Sequence, residues 1–183
     1  MTERCPIAIL MRYWLDTEFI EDGRTIDLLS IGIVAEDGRE FYAENTEADL
    51  GKANDWVREH VLPQLGRPAL TSHFGGRVSR AELRLDVEEF CDPSRFGKPE
   101  FWGFYADYDW VVLCQLFGAM VDLPKGWPMY CRDLKQWADE LGNPALPEQG
   151  KGEHHALADA KWNRQAWEFL AQYSKAYAQG FVP

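Results

Sequence analysis

Met11-Arg12-Tyr13-Trp14-Leu15-Asp16-Thr17-Glu18-Phe19-Ile20-Glu21-Asp22-Gly23 is the stretch on which the reading of this 183-residue chain turns. Its hydrophobic run, Met11 to Asp16, has the make-up of a strand, and Glu21-Asp22-Gly23 supplies a turn signal. Thr25 to Ala35 is a second run rich in Ile and Leu, Glu36-Asp37-Gly38 a second turn, and Glu40 to Ala43 a short third strand. Three sequential strands joined by tight turns predict an antiparallel meander. In extended chain, residues i and i+2 project to one side, so Asp16 and Glu18 direct two carboxylates at one point. A lone Asp-x-Glu at a strand end is ordinarily a solvated, turn-forming pair and by itself carries no function.

Helical signals follow downstream. Asn54 is placed to cap a short helix over Asp55 to Leu62, which Pro63 stops. Ser79-Arg80-Ala81-Glu82 has the form of a capping box, with Leu83, Val87 and Phe90 at i, i+4 and i+7 behind it. Gly and Pro residues from Pro93 to Pro99 end that helix and lead into an aromatic strand, Phe101 to Tyr105. Asp109 to Met120 then has helical spacing. Met129 to Arg132 reads as a last short strand, before a helix over Leu134 to Leu141 closed by Gly142. A final helix runs from about His155 to Tyr177. Strands first, then strand and helix in alternation, predict an α/β protein built on a mixed β-sheet with helices on both faces. No internal repeat or long linker divides the chain, so residues 1–183 are expected to form a single domain, with residues 1–10 as a peripheral extension.

Composition narrows the function. Apolar residues make up 46%, with 8 Trp, 7 Tyr and 10 Phe, which excludes a disordered chain. The sum of 19 Lys+Arg and 30 Asp+Glu is −11, a sign that repels a polyanion over most of the surface. A basic protein that coats nucleic acid is therefore excluded. An enzyme that touches a few nucleotides, or whose acidic site is neutralised by metal ions, is not. Cys5, Cys91, Cys114 and Cys131 are scattered without a C-x-x-C pair, so buried, reduced thiols in a cytoplasmic protein are expected. Ile7 to Met11, the longest apolar run near the start, is too short for a signal-peptide core or a membrane span, so neither export nor a membrane partner is expected.

Two further acidic positions stand with Asp16 and Glu18. Tyr105-Ala106-Asp107-Tyr108-Asp109 opens a helix directly after a strand, so either aspartate is an N-cap or projects from the end of the sheet. His154-His155-Ala156-Leu157-Ala158-Asp159 sets two imidazoles ahead of a carboxylate at the start of the last helix, where the helix dipole favours negative charge. If that helix already contains both histidines, His155 faces with Asp159. Five residues leave His154 about 140° off that face unless it lies in the loop ahead of the helix. Gly150 and Gly152, just upstream, give such a loop freedom to swing.

Together, Asp16-Thr17-Glu18-Phe19, Tyr105-Ala106-Asp107-Tyr108-Asp109 and His154-x-Ala156-Leu157-x-Asp159-Ala160 resemble, in type and order, the three motifs of the DEDDh 3′-to-5′ exonucleases. That superfamily contains ribonuclease T, oligoribonuclease and polymerase proofreading domains. Met11 to Gly23 looks like the opening of a small bacterial and phage group of ribonuclease T-like exoribonucleases. The resemblance spans Asp16 to Asp159 and implies a ribonuclease H-like fold. Carried over residue by residue, it implies Asp16, Glu18, Asp109 and Asp159 as metal ligands and His154 as general base. Tyr108 fills the aromatic place before the second-motif ligand, which selects Asp109 and leaves Asp107 as the alternative. Tyr105 departs from the Asn or small polar residue common ahead of this segment. Phe19 is implied as a stacking platform for the last base, and the Thr17 backbone as a contact to the terminal sugar.

The residue types suit that chemistry. Cleaving a phosphodiester with water needs a nucleophile at neutral pH and relief of charge on the leaving oxygen. Two Mg²⁺ or Mn²⁺ ions do both and, as hard cations, take carboxylate ligands. A histidine, with a pKa of about 6.5, accepts a proton near physiological pH. The expected activity is a 3′-to-5′ exoribonuclease in RNA processing, releasing nucleoside 5′-monophosphates from single-stranded RNA 3′ ends. A homodimer is implied by the likeness to the ribonuclease T group. Two readings compete with it. One is a DNA exonuclease with the same site, because the metal chemistry does not inspect the sugar; the other is a catalytically idle binding or scaffold domain of the same fold.

Overall fold

The computed structural model describes residues 10–66, 74–150 and 152–180. Cys5 and the expected N-terminal extension, apart from Leu10, lie outside the described residues. The meander is present: β1 (Leu10–Glu21), β2 (Ile26–Ala35) and β3 (Glu40–Asn45) pair antiparallel in sequence. Three parallel strands extend it. β4 (Phe74–Val78) lies beside β3, β5 (Lys98–Gly103) beside β1, and β6 (Arg132–Asp133) beside β5. The six-stranded order is β4-β3-β2-β1-β5-β6.

Alternation along β1 explains why helices cover both faces. Tyr13 and Leu15 pack with Leu83, Val87 and Phe90 of α2 (Arg80–Phe90) and with Val112 and Leu113 of α4 (Asp107–Phe117). Trp14 points the other way, into a cluster with Leu134 and Ala138 of α5 (Leu134–Glu140) and Leu157, Ala160 and Leu170 of α6 (Ala156–Ala178). Burying a side chain of this size contributes about 1.5–3 kcal/mol. A third small cluster joins Ile20 and Leu29 to Val57 of α1 (Asp55–His60), placing α1 past the far end of β1.

The expected caps are formed. Asn54 accepts from the Val57 N–H at 2.9 Å, and Ser79 with Glu82 makes a reciprocal capping box. Boundaries moved where pairing or strain overrides local pattern. β1 continues through Asp16-Thr17-Glu18 because their backbones pair with Gly32, Ile31 and Ser30 of β2. α4 starts at Asp107 and stops at Phe117, since Gly118 takes φ +114°, so Met120 falls in a separate one-turn segment. The last strand is Arg132–Asp133 rather than Met129 to Arg132, its pairing limited to Trp102 and Gly103 of β5. β4 and the one-turn helix α3 (Pro93–Phe96) carried no readable period, the first because Gly75 and Gly76 sit within it. Among the described residues no helix is long and apolar enough to cross a membrane.

One close approach fixes the last helix on the sheet. Gly32, cross-strand partner of Asp16, lies under the start of α6; a β-carbon there would fall 2.3 Å from the Ala156 carbonyl oxygen and 2.4 Å from the Leu157 Cα. Backbone cannot yield as a flexible side chain does. About two turns further along, the buried Asn163 amide donates to the Leu15 carbonyl at 2.8 Å. Gly32→Ala is expected to cost about 1–3 kcal/mol or more in chemical denaturation, as overpacking does in well-packed cores. An unchanged denaturation midpoint would show that α6 is not seated on Gly32.

Candidate active site

Pairing between β1 and β5 ends at Trp14 and Trp102, so the next residues of β1 have an open edge. Asp109, in the first turn of α4, takes the place of the missing strand. Its Oδ1 accepts the Thr17 N–H at 2.8 Å and the Thr17 hydroxyl at 2.6 Å. On the other edge the register with β2 slips after Glu18, which faces Ser30 while Phe19 faces Leu28, leaving Leu29 as a bulge. Bulges of this kind re-aim side chains beside active sites. Asp159, in the first turn of α6, accepts the His154 backbone N–H at 2.9 Å on Oδ2 and a short bond from the Gln149 amide on Oδ1.

These elements bring the predicted acids to one place. Asp16, Glu18 and Asp159 offer oxygens that all lie within 4.8 Å of one another. Asp109 stands outside that trio but lines the same pocket, of about 390 Å³, with Thr17, Phe19 and His154. Among the described residues no lysine or arginine forms a salt bridge to any of the four acids. Their protonation shows the consequence. Burial, then Asp109, Asp159 and Glu18, hold the Asp16 carboxyl well above the usual carboxylate range. Burial, helped by Asp159 and Asp109, pushes Glu18 up to about 8. Asp109 and Asp159 reach only about 6: burial raises both, while hydrogen bonds from Thr17 to the one, and from Gln149 and the His154 N–H to the other, favour the charged form. Clustered oxygen donors without a protein counter-charge match the ligand preference of a hard divalent cation.

The two histidines separate. His154 has φ +66° and lies in the loop before α6, the placement the motif spacing requires; its imidazole stands edge-on to Trp56 at 4.9 Å and lines the pocket. His155 is the N-cap residue; its ring stacks on Tyr42 at 4.5 Å, and it does not line the pocket. Asp107 is exposed at the start of α4 and does not line the pocket. Tyr105 sits at φ +54°, a left-handed conformation in which Asn is several-fold enriched and a bulky residue is an outlier; that is the physical reason for a small polar residue there. Phe19 is half-buried and stacks on Tyr108 at 5.8 Å. Thr17, expected at the terminal sugar, has its N–H and hydroxyl both engaged by Asp109.

The sequence did not reveal the part of the wall that α1 supplies. Asn54, the N-cap of α1, and Trp56 and Val57 within it line the same pocket as the acids. Asn54 was legible only as a cap, and a helix of six residues has too little period to show which face Trp56 takes. Gln149 sits in a Pro- and Gly-rich loop where nothing local marks it.

Comparisons with known proteins agree with this geometry. Residues 11–171 match the family model described as the 3′-5′ exoribonuclease Rv2179c-like domain. The chain is 48% identical over 151 residues to the 3′-5′ exoribonuclease Rv2179c of Mycobacterium tuberculosis strain H37Rv, covering 82% of this chain and 88% of that protein. The 3′-5′ exoribonuclease MT2234.1 of strain CDC 1551 gives the same figures. Among solved structures, the nuclease domain of 3′hExo, a DEDDh family member bound to rAMP, superposes with a TM-score of 0.52 at 14% identity, over 88% of this chain and 92% of that one. The sheet and its helices are thus the ribonuclease H-like fold of a DEDDh nuclease domain. By the span of the family match and the identity to its curated relatives, this chain belongs to the Rv2179c-like 3′-5′ exoribonuclease domain family.

Proposed function

We propose that the protein is a divalent-metal-dependent 3′-to-5′ exoribonuclease that hydrolyses single-stranded RNA from the 3′ end to nucleoside 5′-monophosphates. The observation that carries the reading is the uncompensated trio Asp16, Glu18 and Asp159, with Asp109 behind it and the His154 imidazole at its rim. The Asp16 carboxyl is opposed by Asp109 as well as by Asp159 and Glu18, so neutralising these charges with divalent cations would relieve all four acids. Asp16, Glu18 and Asp159 would hold such ions, with Asp109 lining the same pocket as a further carboxylate ligand. Mg²⁺ or Mn²⁺ held there supplies acidified water and offsets charge developing on the leaving oxygen.

The chain's own groups do the rest. Asp159 anchors the His154 main chain, leaving the imidazole over the pocket to take the proton of the attacking water at a ring nitrogen. The half-buried Phe19 ring, backed by Tyr108, offers a stacking face for the terminal base. With a net charge of −11, broad phosphate attraction is absent, so contacts near the last nucleotide must supply the grip, and the 2′-hydroxyl is the group that separates RNA from DNA. Free Cys91, Cys114 and Cys131 suit a reducing cytoplasm. The likeness to the ribonuclease T group adds a homodimer to the proposal; sedimentation at twice the 21.1 kDa chain mass is the expected result.

Metal and pH are linked with a definite sign. An acid whose pKa is raised by folding favours the folded state while protonated, and that contribution is lost as pH rises through the folded value. The contribution of these acids is therefore complete below their ordinary values of 3.8 and 4.5, and declines through about 6 for Asp109 and Asp159 and about 8 for Glu18. Metal-free protein is expected to lose thermal stability across that window, and the stabilisation by Mn²⁺ to grow with it. A Mn²⁺ shift larger at pH 5 than at pH 8 would contradict the assignment.

His154→Ala is expected to lose roughly 10²–10⁴-fold in turnover while still binding Mn²⁺. His155→Ala, which removes the ring stacked on Tyr42 and leaves the His154 imidazole in place, should cost less turnover than His154→Ala. The reverse ranking moves the base to His155. On end-labelled oligonucleotides of matched sequence, RNA should be shortened faster than DNA under the same Mg²⁺ and salt. Equal or faster digestion of DNA would favour the DNA exonuclease reading.

A further inference from the structure

Next to Gly32, in the same row across the sheet, stands Tyr42: Asp16, Gly32 and Tyr42 are successive cross-strand partners on β1, β2 and β3. Gly32 leaves bare backbone for the first turn of α6, and Tyr42 rises beside it. Its ring, 5% exposed, lies nearly parallel to that of His155, with centroids 4.5 Å apart and an interplanar angle of 18°. The His155 carbonyl accepts the N–H groups of Ala158 and Asp159, so the residue that Tyr42 touches also holds the turn carrying Asp159. His154, one residue back, is in the left-handed conformation that aims its own N–H at Asp159.

Tyr42 is itself fixed. Its hydroxyl donates to Glu44 Oε1 at 2.9 Å, and the same buried carboxylate accepts the Gly66 N–H at 2.6 Å and has Arg77 at 3.6 Å. A ring so tied cannot turn out of the way, and the start of α6 is confined by a floor at Gly32 and a wall at Tyr42.

Resting on the exonuclease reading above, we propose that Tyr42 is a positioning residue for the metal site: its Glu44-anchored ring braces His155, and thereby sets where Asp159 and His154 stand relative to Asp16 and Glu18. Outer groups that orient metal ligands typically change metal affinity 10–100-fold when removed. A residue that merely fills the core would change stability and leave the affinity of the folded protein alone.

The test compares Tyr42→Met, which keeps the bulk without the flat ring, with Tyr42→Phe, which keeps the ring without the hydroxyl. Calorimetric titration with Mn²⁺ alone, on protein shown to be folded by circular dichroism, should give roughly ten-fold weaker binding for Tyr42→Met. Its kcat at saturating Mn²⁺ should fall with KM for RNA little changed, and Tyr42→Phe should recover most of both losses. Wild-type Mn²⁺ affinity in folded Tyr42→Met overturns the proposal, as does a Tyr42→Phe variant as impaired as Tyr42→Met. Should Tyr42→Met fail to fold, His155→Ala, which removes the other ring of the stack, decides: roughly ten-fold weaker Mn²⁺ binding upholds the brace, and wild-type affinity overturns it. Wild-type protein that binds Mn²⁺ but does not shorten RNA overturns the exonuclease reading, while the calorimetric comparison still decides the part played by Tyr42.

Discussion

The seat of the Ala156 carbonyl on the bare backbone of Gly32 is the constraint from which the rest of the site follows. A strand position with no side chain is a weak strand position, since glycine loses the most conformational entropy on ordering and adds nothing to the packing. Here that weakness is used to let a helix terminus approach a sheet more closely than any other residue would permit. The helix arrives with its first turn over Asp16, the cross-strand partner of Gly32, and so Asp159 meets the β1 acids although 143 positions separate it from Asp16 in the chain. Asn163, one turn past Asp159, ties the same helix to the Leu15 carbonyl, so position and rotation are both determined.

What this assembly costs is electrostatic. Buried carboxylates facing one another without a counter-charge oppose folding at neutral pH. Hydrogen bonds relieve part of the cost at Asp109 and Asp159, and little relieves it at Asp16 and Glu18. The apolar clusters on both faces of β1 carry the difference, and β1 is an interior strand of the sheet rather than an edge.

How much of this the sequence disclosed depended on range. Asp16 and Glu18 were legible as a pair because a strand's two-residue period is local, and Ser79 and Glu82 because a capping box is complete within four residues. The separate places of His154 and His155 could be posed but not decided, since the answer lies in where α6 begins, and Gly32, far away on β2, sets that. β4 escaped notice because glycines erase alternation, and Trp56 because one short helix shows no face. That Thr17 also fastens Asp109 was not legible, because it follows from the early end of β5. In each case the deciding partner was distant in the chain.

The clasp between Asp109 and Thr17 gives the second motif two separate reasons to persist. One oxygen closes the open edge of β1, a service that any copy of this fold needs whether or not it cuts anything, while the residue also lines the pocket. A descendant that had lost its chemistry would still be selected to keep this aspartate, or an asparagine of the same shape, as a structural fastener. Asp16 and Glu18, which repel their neighbours and have no salt bridge among the described residues, would be shed first. In a set of diverging sequences, it is therefore the pair on the strand, more than the acid on the helix, that distinguishes a working enzyme from its fossil.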